Sequence, residues 1–347
     1  MRQVSCHLLD VLFSIRRVHG STTINSPFQI SVVIPVYNVA TYVQQAVESA
    51  LAQPEVVEVV VVDDGSTDES LKVCQALAAR YSQVKVYQHP NGENRGAGAT
   101  RQLGVEQATA PWVAFLDADD VFLPNRFAVA CQRAQDAAVE GVYEAVAWRF
   151  EREADRERWL RLGRDPDKLI TIREALPPDH LFAAFMQGGH GNVHLNGLVA
   201  QKVALDRIGG FKPIVRRGED HILNIKLAAQ CHMVAGQITE PVAIVRVHSA
   251  NNISGVTRRP PHYLVRAYHQ ALWEWSETTL TALQRRQLRL YFARHVVHTY
   301  DQNWFRQRLD LLWLLWHRPR LALERRFWLR HFLDVQLLKK RVKKWLR

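Results

Sequence analysis

The chain has 347 residues, 47% hydrophobic and 23% charged, which supplies a sizeable core and excludes a disordered or fibrous chain. Its four cysteines (Cys6, Cys74, Cys131, Cys231) stand far apart with no CxxC pair, which argues against zinc ribbons and disulfide frameworks and for a reducing compartment. The net charge of +11 hides an asymmetry. Residues Arg258 to Arg347 carry 20 Lys and Arg against 6 Asp and Glu, with seven of the ten tryptophans, whereas Met1 to Thr257 carry 25 against 28.

Residues 1–28 read as an N-terminal extension of no assigned role. Asp10, Arg16 and Arg17 interrupt its apolar stretch and no small-residue cleavage site follows, so a signal peptide is not expected. No run of the sequence reaches the roughly 18 consecutive apolar residues of a spanning helix.

From Ile30 the pattern becomes regular. ISVVIPV (30–36) is an apolar, β-branched run suited to a buried parallel strand. TYVQQAVESALA (41–52) has helical spacing, with Thr41 as a candidate cap. VVEVVVV (56–62) predicts a second strand, followed by a helix that begins after Ser66 or Thr67 and runs toward Tyr81. VKVYQ (84–88) predicts a third strand, 97–108 a helix, and WVAFL (112–116) a fourth strand running into DADD.

Alternating units of this length imply an α/β domain with helices on both faces of a parallel sheet, whose ligands bind beyond the carboxyl ends of the strands. That rule gathers Tyr37–Asn38, Asp63–Asp68 and Asp117–Asp120 on one rim. The charged, proline-containing stretch between Phe150 and Pro178 reads as a surface connection. Order returns with HLNGLVA (194–200), a helix from KVALDRI, the turn Gly209-Gly210-Phe211, a helix from Glu219 to Ala229, and a strand VAIVRV (242–247). Everything from Pro261 reads as helix.

Five clusters carry chemistry. In VVVVDDGSTDES, Asp63 and Asp64 end a strand ahead of a glycine turn. Asp64 is placed to accept an N–H of a nucleotide base, while Ser66, Thr67 and Asp68 read as turn and cap residues. In FLDADD, Asp117, Asp119 and Asp120 crowd like charges whose mutual repulsion asks for a cation, and hard carboxylate oxygens suit Mg²⁺ or Mn²⁺. In NRGAGATRQLG, Arg101 offers a planar donor fork to a pyrophosphate, or else an ordinary helix-surface ion pair. The third glycine of a dinucleotide fingerprint is missing there.

In RRGEDHILNIKLA, Glu219 and Asp220 fall in the first turn of a buried helix, where either acid complements the helix dipole. His248 ends a strand in VRVHSANNIS, as a structural residue or as a ligand.

Together, IPVYN, VVDDGSTD, NRGAGATRQLG, FLDADD, GGF, GED and RVHSANNIS resemble the inverting family 2 glycosyltransferases of GT-A fold, over Ile30 to Gly255. The resemblance implies a Rossmann-like, mixed and mostly parallel sheet over 29–257, and a UDP-, GDP- or dTDP-sugar donor with a divalent cation (Mn²⁺ or Mg²⁺) as cofactor. Pro35 and Tyr37 would flank the base and Asp64 would hydrogen-bond it. Arg101 would reach the diphosphate, Asp119 the ribose or sugar side, and Asp120 the metal, with His248 near the diphosphate or the metal. Asp220 would be the general base, and Asp117 and Glu219 supporting acids. The implied acceptor is a glycan or lipid-linked hydroxyl in polysaccharide or glycolipid synthesis.

Beyond Arg258 the resemblance gives little help. The basic, Trp-rich region 258–347, broken at Pro319, reads either as an interfacial tail on an anionic membrane surface or as helices packed on the catalytic domain. No module for reading nucleic acid is present, and the expected location is cytoplasmic, including the inner face of a membrane. Two other functions compete. One is phosphoryl transfer of the haloacid-dehalogenase kind through the DDGST turn, where Val62 occupies the position of the nucleophilic aspartate. The other is an inactive GT-A scaffold. A nucleotidyltransferase would need its glycine-rich loop directly after the first strand, where PVYN stands.

Overall fold

The computed structural model describes residues 28–212, 215, 218–248 and 262–299, with side chains from 268 to 292 in the last segment. The N-terminal extension, the polar residues after His248 and the tail from 300 to 347 lie outside the described residues.

In chain order the elements are β1 (Ile30–Val36), α1 (Val43–Leu51), β2 (Val56–Asp63), α2 (Ser70–Arg80), β3 (Val84–Gln88), α3 (Ala97–Gln107), β4 (Trp112–Phe115), β5 (Val121–Phe122), α4 (Ala128–Arg133), β6 (Gly141–Tyr143), β7 (Val146–Phe150), α5 (Glu153–Arg161), α6 (Pro178–Gln187), β8 (Leu198–Gln201), α7 (Lys202–Arg207), α8 (Glu219–Gln230), β9 (Met233–Ala235), β10 (Ala243–Val247), α9 (His262–Thr279) and α10 (Ala282–Thr299). Seven strands form one sheet in the order β3-β2-β1-β4-β8-β6-β9, and a small second sheet runs β5-β10-β7.

The first four strands of that order are parallel, as their apolar runs predict. β8 then runs antiparallel to both β4 and β6, so the sheet is mixed and mostly parallel. Because side chains alternate along a strand, Ile30, Val32, Ile34 and Val36 face one core with α1 and α2. Val33 faces the other, with residues of α3, α6, α7, α8, α9 and α10. Both faces are therefore covered, which is why strands β1 and β2 are apolar at nearly every position.

Several local expectations differ from the structure. Tyr42, not Thr41, precedes α1, and no side chain caps it. The second helix starts at Ser70, where Asp68 Oδ1 accepts the Ser70 N–H at 2.9 Å. Ser66 and Thr67 instead bond across to Asn38, tying the ends of β1 and β2 together. The charged stretch after Phe150 contains α5, because Trp159 buries itself against Trp148 and Phe150 at ring distances of 4.8 and 5.1 Å.

α3 lies unusually close to β1. A Cβ on Gly104 would overlap Val33 Cγ1, so the helix that carries Arg101 approaches the sheet only because this position is glycine. Gly104→Ala should destabilise the fold by about 1–3 kcal/mol, the usual cost of overpacking. Chemical denaturation of the single variants and of Gly104→Ala/Val33→Ala should show the double variant recovering part of that loss.

Candidate active site

The three rim loops converge at the carboxyl ends of β1, β2 and β4, which are adjacent in the sheet. Tyr37 is 49% exposed there, and Pro35 is half-buried beneath it. Asp64 is buried, and its carboxylate is already engaged. Oδ1 accepts the Arg95 N–H at 2.7 Å and Oδ2 the Gly96 N–H at 2.9 Å, while Asn94 Nδ2 donates to the Asp64 carbonyl at 3.0 Å. Asp64 thus fastens the loop entering α3 to the end of β2. Gly65 between them has φ +74°, and a Cβ there would meet the Gly92 carbonyl oxygen at 2.5 Å. A base contact by Asp64 would have to use the lone pairs that these amides leave.

Arg101, the expected diphosphate contact, is engaged by two carboxylates. Its two terminal nitrogens bind Asp117 at 2.6 Å and Glu219 at 2.9 Å, and its Nε has no partner among the described residues. It separates two carboxylates by standing between them.

The environments of those acids differ. Burial alone would raise the pKa of Asp117, but the Arg101 guanidinium outweighs it and holds the carboxyl below its ordinary range. Glu219 is the less exposed of the two. Burial raises its pKa, Arg101 only partly offsets this, and the neighbouring Asp220 adds to the rise. Asp220 itself is exposed on the rim.

Asp120, the expected metal ligand, is engaged by protein donors. It is 2% exposed, with Oδ1 accepting the Arg246 N–H at 2.8 Å and Oδ2 accepting Asn196 Nδ2 at 2.6 Å. Burial, then Asp119 and Asp117, push its pKa well up. Asp120 therefore joins β10 to the DADD turn. The residue presented outward is Asp119, whose Oδ2 lies 3.1 Å from His248 Nε2. Burial and Asp117 raise the Asp119 pKa, and His248 opposes them. The His248 ring lies tilted against Tyr42 at 4.5 Å, and the Tyr42 hydroxyl donates to Glu151 Oε2 at 3.0 Å. Among the described residues no group of three or more His, Cys, Asp or Glu is arranged to hold a metal.

Sequence reasoning missed two residues in HLNGLVA. Asn196, fully buried, donates to Asp120, accepts the Asp117 N–H at 3.1 Å, and gives its carbonyl to Arg126 Nε at 3.0 Å. Arg126 is in turn paired with Glu144 in the core. His194 Nδ1 accepts the Asn196 N–H at 3.2 Å, which leaves Nε2 as the protonated nitrogen. Burial lowers the His194 pKa, and Asp117 and Asp220 are the charges that most oppose this. An asparagine inside an apolar run, just before a strand, was the available signal.

The DDGST turn does not suit a phosphoryl acceptor. Asp63 is fully buried, with Oδ2 accepting the Ser66 N–H at 3.2 Å and Gln88 Nε2 at 3.1 Å.

Fold and site define an α/β domain whose ligand edge lies at the carboxyl ends of its parallel strands and is lined by acids held apart by cations and amides. Residues 31–189 match the family described as "Glycosyl transferase family 2", and the chain therefore contains a family 2 glycosyltransferase domain, an enzyme domain.

The succinoglycan biosynthesis protein ExoU of Rhizobium meliloti is 40% identical over 104 residues, 30% of each chain. The uncharacterized glycosyltransferase alr2836 of Nostoc sp. is 40% identical over 235 residues, 65% of this chain and 66% of that one. The match thus spans under a third of ExoU and just under two thirds of alr2836. The crystal structure of S. aureus TarS 1-349 in complex with UDP-GlcNAc shares the fold, with a TM-score of 0.59 at 17% identity over 78% of this chain and 73% of that one.

Arg101→Met should be costly in a pH-dependent way. Because Asp117 titrates below its ordinary range in the folded chain, the stability it contributes is present above that range and is lost as pH falls through it. Two uncompensated, partly buried carboxylates should cost about 3 kcal/mol near neutral pH, the lower end of what breaking a buried pair costs. Urea denaturation should show the gap from the parent chain narrowing as pH is lowered toward the carboxylate range.

Proposed function

We propose that the protein transfers a sugar from a nucleotide-sugar donor to an acceptor hydroxyl with inversion, in the synthesis of a cell-surface polysaccharide or glycolipid. The observation that carries this reading is the division of labour among the rim acids. Asp117, Asp120 and Glu219 are bound by arginine, asparagine and backbone N–H donors, whereas Asp119 meets the buried His248 and Asp220 is exposed. The family match, the UDP-GlcNAc bound to TarS and the polysaccharide role in ExoU's name support the same reading.

The donor set of Asp119 and His248 fits a divalent cation. One carboxylate oxygen and one imidazole nitrogen 3.1 Å apart suit a borderline-hard ion such as Mn²⁺ and leave positions for diphosphate oxygens. Such an ion, when bound, would offset the negative charge that grows on the departing nucleoside diphosphate.

The remaining roles belong to the chain. Tyr37 and Pro35 offer an exposed ring and an apolar seat for a base at the end of β1. Asp220 takes the proton of the acceptor hydroxyl during attack, an assistance typically worth ~10²–10⁴-fold. Glu219 cannot share that task while it is bound to Arg101. Displacement in one step, with attack opposite the leaving group, gives inversion with no covalent enzyme intermediate.

Among the described residues no helix is long and apolar enough to cross a membrane. The sequence from 300 onward, still basic and Trp-rich, suits contact with an anionic surface on the cytoplasmic side, which would bring the site near a lipid-linked acceptor.

Thermal stabilisation by UDP-, GDP- and dTDP-sugars with Mn²⁺ should identify the donor class, since a ligand bound only by the native state raises Tm. Asp220→Asn should keep that stabilisation and lower transfer by about 10²-fold or more. Normal turnover in this variant removes Asp220 from the role. Asp119→Asn should lose the Mn²⁺-dependent part of the Tm shift. Asp120→Asn should lower the ligand-free Tm, because one of its two N–H donors then faces an amide NH₂, and should keep the Mn²⁺ dependence.

A further inference from the structure

The orientation of Asp220 depends on a turn with no side-chain cap of its own. Gly218, at the head of α8, has φ +80°, and the first helical bond runs from the Ile222 N–H to the Gly218 carbonyl at 3.0 Å. Successive helical residues point about 100° apart. The rotation of this turn about the helix axis therefore decides whether Asp220 faces the rim. Its two neighbours are both pinned. On one side Arg101 holds Glu219 at 2.9 Å.

On the other side the Tyr268 hydroxyl lies 2.6 Å from His221 Nδ1 and 3.0 Å from the Tyr291 hydroxyl. The Tyr268 ring stacks near His221 at 6.1 Å, and a Cβ on Gly218 would meet Tyr268 Cδ2 at 3.0 Å. One side chain thus touches both the head of the turn and the residue after Asp220. Burial raises the pKa of the Tyr268 hydroxyl and lowers that of His221, so the two share a hydrogen bond between neutral groups whose direction follows the His221 tautomer. Tyr268 and Tyr291 belong to α9 and α10, outside the segment 31–189 that matches the family.

We propose that Tyr268 is a positioning residue: from the C-terminal helical pair it clamps Gly218 and His221, fixes the rotation of the α8 turn, and so keeps Asp220 on the rim. Helices α9 and α10 are then part of the catalytic unit rather than a detachable appendage. The link to turnover rests on the reading of Asp220 as general base, whereas the clamp itself stands on the hydrogen bonds and contacts above.

Two variants test it. Tyr268→Phe keeps the ring over Gly218 and removes only the hydroxyl. Trp273→Leu loosens α9 against α10 at the Trp273–Phe292 contact (5.9 Å) without touching the turn. Hydrogen–deuterium exchange of the Ile222 and Leu223 amides should quicken about ten-fold or more in Tyr268→Phe and stay at the parental rate in Trp273→Leu. With the sugar nucleotide found active among UDP-, GDP- and dTDP-sugars, Tyr268→Phe should lower kcat about ten-fold with donor KM within about two-fold, while Trp273→Leu keeps the parental kcat.

Unchanged exchange at Ile222 and Leu223 in Tyr268→Phe overturns the clamp. Equal kcat losses in the two variants at matched Tm overturn its positioning role. If the parent chain turns over none of these sugar nucleotides, the reading of Asp220 as base fails, and the exchange rates still decide the clamp.

Discussion

Like-charge repulsion at the edge of the sheet is the constraint from which the rest of this structure follows. Five carboxylates, those of Asp117, Asp119, Asp120, Glu219 and Asp220, share one rim, and burial makes each unpaired charge more expensive than it would be in water. The chain answers with a partner for each one but Asp220. Arg101 stands between Asp117 and Glu219, the Arg246 amide and Asn196 hold Asp120, and His248 faces Asp119. These partners come from α3, β10 and the turn before β8, so the elements cannot shift independently without exposing an acid to its neighbours. Asp220, the exposed member, is left without an ion-pair partner among the described residues, which suits the proton-accepting role proposed for it.

The fold supplies the geometry for this at modest cost. Parallel strands β1, β2 and β4 end side by side, so loops distant in sequence meet on one edge. The mixed half of the sheet then matters more than its size suggests. β8 runs antiparallel to β4, so the turn entering β8 arrives at the rim where β4 leaves for it, and Asn196 reaches the DADD turn from there. The small second sheet has a similar role: β10 delivers His248 beside Asp119 and the Arg246 amide beside Asp120.

Much of this was legible in the sequence because local patterns decided it. The apolar runs at 30–36, 56–62 and 84–88 are strands with the expected bounds to within a residue, and the rim follows from their order. The site was legible as a set of residues but not as a set of contacts. Arg101 reads as an anion donor or as an ion-pair partner, and its contact with Glu219, 118 positions away, has no local signature. Asp119 and Asp120 are adjacent and chemically identical. Which one faces outward depends on where β10 and Asn196 approach, a tertiary fact with no local signature. Asn196 and His194 were passed over because the surrounding run is apolar, and a buried polar residue reveals its purpose only through its partners. The helical character of 262–299 was legible too. The packing of Tyr268, Leu272 and Phe292 into the main core was one of two open alternatives.

The account turns on Asp119 and His248, not Asp120, facing the diphosphate side of the cleft. Anomalous diffraction from crystals soaked with MnCl₂ and UDP tests this most directly. The account predicts one manganese peak in contact with both the Asp119 carboxylate and the His248 imidazole, with diphosphate oxygens completing its shell. A peak on Asp120, or UDP bound with neither Asp119 nor His248 near its diphosphate, would contradict it.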